Sequence, residues 1–125
     1  MERARHGSPK RAIKELFEET IENLSGTPPE NRRGCLIQNT ALELAPRDAE
    51  IGKIVRENVE KCHALFAQVL ELAKEKGELK KTPREISELA IFLFANLSAI
   101  RLLGKSGMNE PELRAVANNA LKLLG

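Results

Sequence analysis

The 125-residue chain has no tryptophan and no tyrosine, and four phenylalanines are its whole aromatic content. Binding of single strands through stacked bases needs a platform of rings, which such a chain cannot supply. Cysteine and histidine are equally scarce, with two of each: Cys35, Cys62, His6 and His63. That is too few for a disulfide scaffold. Both cysteines stand in helical positions among apolar neighbours, which points to reduced thiols in a cytoplasmic protein. Neither sign of charge dominates, since 20 Lys and Arg face 18 Asp and Glu. The residual +2 is too small to imply nucleic acid or an anionic membrane by itself. No glycine-rich phosphate loop, zinc spacing, nucleophile elbow or signal peptide is visible. The longest nearly uncharged run lies between Glu88 and Arg101, short of the roughly 20 residues that span a bilayer. No membrane segment is expected.

What is present is helical periodicity with start and stop signals. Ser8-Pro9 places a capping hydroxyl before a proline that costs nothing at the first helical position. Ile13, Leu16, Phe17, Thr20, Ile21 and Leu24 then recur at steps of three and four, and Ser25-Gly26 stops the run. Met1 to Gly7 has no apolar period. Residues 1–8 read either as a flexible lead-in or as the remnant of an upstream connection.

Asp48 is an N-cap for the longest element. Ile51, Ile54, Val55, Asn58, Val59, Cys62, Leu65, Phe66, Val69, Leu70 and Ala73 form one broad stripe, with Asn58 its polar exception. Gly77 fits a left-handed C-cap, and Thr82-Pro83-Arg84-Glu85 is a capping box opening the next helix. From Ile86 to Leu103 apolar residues fill nearly the whole circumference. A small domain can cover only one side of such a helix, so its other side asks for a partner. Gly104 to Met108 reads as a turn, and Asn109-Glu110-Pro111-Glu112 caps a last helix with the stripe Leu113, Val116, Ala117, Ala120, Leu121 and Leu124. The expected fold is all-α, with five helices near 9–25, 30–45, 48–76, 83–103 and 110–124 in a single domain over 9–125.

Catalytic chemistry has little to stand on. Glu60 and His63 have the Glu-x-x-His spacing of di-iron bundles, but the second such motif is missing. Cys62 and His63 are adjacent on a helix and point about 100° apart, which separates a nucleophile from its base. No catalytic residue, metal ligand or cofactor is assigned, and the chain reads as a non-enzyme.

The remaining helix is the one around which the others must wrap. Arg32-Arg33-Gly34-Cys35-Leu36-Ile37, then Asn39-Thr40-Ala41-Leu42-Glu43-Leu44-Ala45 and Pro46-Arg47-Asp48, resembles the start of the C-terminal domain of TetR-family transcriptional repressors. The long helix ending in Lys76-Gly77-Glu78-Leu79, the Thr82-Pro83-Arg84-Glu85 entry and the two closing helices continue the resemblance over roughly residues 9 to 125.

The resemblance implies a five-helix regulatory domain that senses a small hydrophobic effector and forms a homodimer through its last two helices, as a four-helix bundle. It also implies an N-terminal helix-turn-helix reader, for which this sequence has no segment, so DNA would be contacted only through a missing N-terminal domain. The effector would sit between the first, central, long and penultimate helices. Inward candidates there are Phe17, Leu36, Cys62, Phe66 and Phe94 as apolar walls, with Asn39 and Asn58 as orienting amides. The same residues also read as plain core with two satisfied amides. Candidate dimer contacts are Leu93, Leu97, Ile100, Val116, Ala120 and Leu124. A homodimeric structural domain without ligand is the competing function, and tight packing in place of a cavity would favour it.

Overall fold

The computed structural model describes residues 6–28 and 46–125. The central helix expected near 30–45, with Leu36 and Asn39, lies outside them. Four α-helices are described: α1 (Pro9–Ser25), α2 (Ala49–Glu75), α3 (Pro83–Lys105) and α4 (Glu110–Leu121), with a 3-10 turn at Lys122–Leu124. Among the described residues there is no strand.

Each helix starts where a short polar side chain can satisfy the free N–H groups of its first turn. Ser8 Oγ accepts from Arg11 N at 3.1 Å. Asp48 Oδ1 accepts from Glu50 N at 2.9 Å and from Ile51 N at 3.3 Å. Asn109 Oδ1 accepts from Glu112 N at 3.0 Å. Thr82 and Glu85 form a reciprocal box, with Glu85 N donating to Thr82 Oγ1 at 3.2 Å and Thr82 N donating to Glu85 Oε1 at 2.9 Å. Two of the orphan donors of α3 are thereby satisfied at once.

Helices α1 and α4 bury the stripes that their sequences carry. On α1 these are Ile13, Phe17, Ile21 and Leu24, and on α4 they are Leu113, Ala117 and Ala120. Of the broad stripe expected on α2 only Phe66, Leu70 and Ala73 are buried and Ile54 and Leu65 are exposed, because the other described helices cover only the second half of α2. The helix α3 is the hub, packing against α1, α2 and α4. It buries Ile86, Leu89, Ala90, Leu93, Leu97 and Ile100. Withdrawing one large aliphatic side chain from water contributes about 1.5–3 kcal/mol, so this hub is the main source of cohesion. Its 23 residues are long and apolar enough to cross a membrane by length and composition. Its place between three other helices accounts for the third of that apolar window that is buried.

The reversal between α2 and α3 is made by Gly77, whose φ of 77° suits a residue without Cβ. Glu78 N reaches back to Ala73 O at 2.8 Å and Gly77 N to Lys74 O at 3.0 Å, which satisfies the last carbonyls of α2. The start of α1 is tied to this turn. Ser8 Oγ donates to Glu78 Oε2, Lys10 N donates to Glu78 Oε1 at 3.3 Å, and Lys76 Nζ donates to Gly7 O at 2.8 Å. Helix α1 therefore runs antiparallel to α2 and alongside α3 in the same direction.

One boundary differs from the sequence reading. Helix α3 continues through Lys105, and Gly104 is a buried helical residue instead of the first residue of a turn. The physical reason is its neighbour: the side chain of Leu24 on α1 occupies the space where a Cβ on residue 104 would stand. The glycine is there for close approach of two helices, and the chain reverses at Gly107, where φ is 99°.

Candidate ligand pocket and subunit face

Helices α1, α2 and α3 do not close completely on one another. Between them lies a pocket of about 390 Å³. Its α1 wall is Ala12, Ile13, Leu16 and Glu19, its α2 wall is Cys62, Leu65, Phe66 and Val69, and its α3 wall is Phe94, Leu97 and Arg101. Within each set residues recur at steps of three and four, as in 12, 16 and 19, in 62, 65 or 66 and 69, and in 94, 97 and 101, so each is one stripe of one helix. The pocket exists because these stripes mix small and large side chains: Ala12 and Cys62 leave room that Phe66 and Phe94 do not fill.

The aromatic residues are arranged edge to face. The Phe94 ring lies 5.1 Å from the His63 ring at 83° and 6.4 Å from the Phe66 ring at 62°. Such T-shaped contacts hold Phe94 in one orientation beside the pocket. Glu19 and Leu65 are exposed and form the rim, whereas Arg101 is half-buried.

The sequence candidates separate into three groups. Cys62, Phe66 and Phe94 line the pocket. Phe17 does not, because its side chain is wholly buried in the core between the helices. Asn58 does not either: it is half-exposed on α2, and its Nδ2 donates to Ile54 O of its own helix at 2.9 Å. That bond answers the demand for a partner locally, with no ligand required. Leu36 and Asn39 fall outside the described residues. Sequence reasoning passed over Leu16, Glu19, Leu65, Val69 and Arg101. A signal for Arg101 was available, since it continues the Phe94 and Leu97 stripe at a step of four.

The dimer candidates need correction. Leu93, Leu97, Ile100, Ala120 and Leu124 are each 3% exposed or less inside a single chain, and Val116 is half-buried against the same core. Their apolar surface is already used by the monomer. The open apolar surface of α3 is the opposite side, where Ile91 and Phe92 are 49% and 45% exposed and Ala95 is also exposed. On the last segment Ala115 and Leu123 are exposed. Helix α3 does leave apolar surface outside its buried stripe, on a side other than the expected one, because a helix apolar all round does not reveal in sequence which stripe its own chain takes.

Elsewhere the charges are solvated. The ion pairs Arg84–Glu88 at 3.2 Å and Arg114–Glu110 at 2.9 Å are exposed i, i+4 contacts of small energetic consequence. The Glu85 carboxyl is held below the usual glutamate range, chiefly by the hydrogen bond from Thr82 N and then by the Thr82 hydroxyl. Among the described residues no group of three or more His, Cys, Asp or Glu side chains is gathered as a metal site.

The fold is all-helical among the described residues, with a pocket among three helices and an apolar face left over on the hub. The chain belongs to the family described as Tetracyclin repressor-like, C-terminal domain, whose family model matches residues 9–121. It is also similar to an uncharacterized HTH-type transcriptional regulator, YezE, of Bacillus subtilis (strain 168), at 29% identity over 118 residues. That alignment covers 94% of this chain and 60% of the relative. The chain thus spans about 60% of the length of the relative it matches. No solved structure matches it significantly.

Proposed function

We propose that the chain is the effector-sensing and dimerising part of a TetR-family transcriptional regulator, acting in the cytoplasm, without enzymatic activity of its own. The observation that carries the sensing role is the pocket of about 390 Å³, a volume suited to a small organic molecule, with a mostly apolar lining from three separate helices. A ligand there would touch α1, α2 and α3 together. It would favour whichever relative placement of these helices gives it the better contacts, and that is how an effector shifts a regulator between states. DNA contact would be made by a helix-turn-helix segment of the kind named in the relative.

Dimerisation is supported by the outward side of α3, where Ile91, Phe92 and Ala95 present apolar surface; Ala115 on α4 and Leu123 are exposed as well. Small residues among large ones allow helices of two subunits to approach closely. The test pairs two measurements. A panel of small hydrophobic compounds should raise the melting temperature of the purified chain, because a ligand that binds only the folded state stabilises it by mass action. Light scattering should return twice the chain mass. A monomer, or a panel without any shift, would overturn the corresponding half of this reading.

A further inference from the structure

The pocket is apolar, but its charged residues are not equivalent. Glu19 and Arg101 both line it, one from α1 and one from α3. Glu19 is exposed, so its charge is screened by water, and it already takes part in an interaction of its own. Arg101 is half-buried. Arg101 belongs to neither of the ion pairs Arg84–Glu88 and Arg114–Glu110. An arginine cannot escape its charge by losing a proton. An arginine half-buried beside an apolar cavity, and in neither of those pairs, keeps its charge there, and an anion placed beside it interacts with it more strongly than in bulk water.

We propose that the pocket takes an amphipathic anion, an apolar body ending in a carboxylate, with Arg101 as the counter-ion for its head. This rests on the pocket reading above and adds the chemical class. The apolar body lies along Leu16, Phe66, Val69 and Phe94, and the head stands at the Arg101 end. That order follows from the helices themselves: Arg101 is two turns beyond Phe94 on α3, while Val69 is two turns from Cys62 on α2 in the opposite direction. A neutral alcohol of the same length would keep the apolar contacts and lose the charge-assisted hydrogen bond. A cation would meet Arg101 as a like charge.

The experiment uses three probes with a common tail and different heads, decanoate, decanol and decylammonium, below their micelle concentrations. Binding is measured by calorimetry to the purified chain, its R101Q and R101K variants, and its E19Q variant. Decanoate should bind wild type at least about tenfold more tightly than decanol, the ratio that one charge-assisted hydrogen bond provides. R101Q should abolish that preference by weakening decanoate alone, so that unchanged decanol binding reports an intact pocket. R101K should retain part of the preference, and E19Q, which removes a carboxylate from the rim of the same pocket, should raise it. Equal binding of decanoate and decanol by wild type overturns the carboxylate class while the pocket survives. A preference for decylammonium, or a decanoate preference that persists in R101Q, overturns it as well. Binding of none of the three removes the pocket reading and this inference together. If R101Q is unfolded by circular dichroism, the wild-type ratio and R101K decide the matter.

Discussion

A Cβ built on Gly104 of α3 would stand 2.7 Å from Cδ1 of Leu24 on α1, closer than any ordinary carbon contact. The two helices meet at this point because residue 104 has no side chain. Leu24 is buried there, 7% exposed, and fills the space. Gly104→Ala should destabilise the fold by about 1–3 kcal/mol through overpacking, offsetting the helical preference of alanine. Chemical denaturation with an unchanged slope would read this directly, and a stabilised variant would show that Leu24 can move aside.

The capping box at the start of α3 gives a pH dependence. The lowered folded-state pKa of Glu85 means that its contribution is complete above the ordinary glutamate range. It is lost as pH falls through the lowered value. Wild type should therefore melt above Glu85→Gln at neutral pH, and the two curves should converge in acid. A gap that stays constant with pH would show that the charge of Glu85 plays no part.

Asn58→Leu separates a local amide from a ligand contact. Since Asn58 bonds the Ile54 carbonyl of its own helix and is half-exposed, its replacement should change stability by no more than about 0.5 kcal/mol. It should also leave ligand affinity unchanged, because the side chain does not line the pocket. A loss of several kcal/mol in thermal or chemical unfolding would reveal a buried partner.

Two arginine substitutions distinguish core from contact surface. Phe92→Arg changes a side chain that is 45% exposed, so the chain should stay folded by circular dichroism and shift to monomer in light scattering. Ala120→Arg places a charge where the native residue is 2% exposed, and it should unfold or aggregate the protein. A soluble dimer from Ala120→Arg would return the interface to the inner stripe.

Removing the tie at the start of α1 tests how the turn between α2 and α3 is held. Ser8→Ala takes away both the cap on Arg11 N and the hydrogen bond to Glu78. A cost of about 1 kcal/mol is expected from the cap alone. Combining Ser8→Ala with Glu78→Ala should cost less than the sum of the two single changes, since the pair shares one contact.

Much of this architecture was legible in the amino-acid order because its causes are local. Ser8, Asp48, Thr82 and Asn109 cap helices for reasons that extend three residues along the chain, and Gly77 answers to a φ of its own backbone. The stripe on α1 needed only its spacing. Cys62, Phe66 and Phe94 could be named as inward-facing on the same ground. What the order of residues did not decide is which of several apolar stripes meets which neighbour. Helix α3 is apolar nearly all round, so the burial of Leu93, Leu97 and Ile100 and the exposure of Ile91 and Phe92 depend on where α1, α2 and α4 lie against it. Gly104 looked like a turn because its reason, Leu24, is 80 residues away along the chain. Arg101 looked like the end of an apolar run, and only the meeting of three helices set it beside a cavity. Periodicity along one helix specifies its faces, but the partner of each face is a property of long-range packing, and the pocket is the space that this packing leaves.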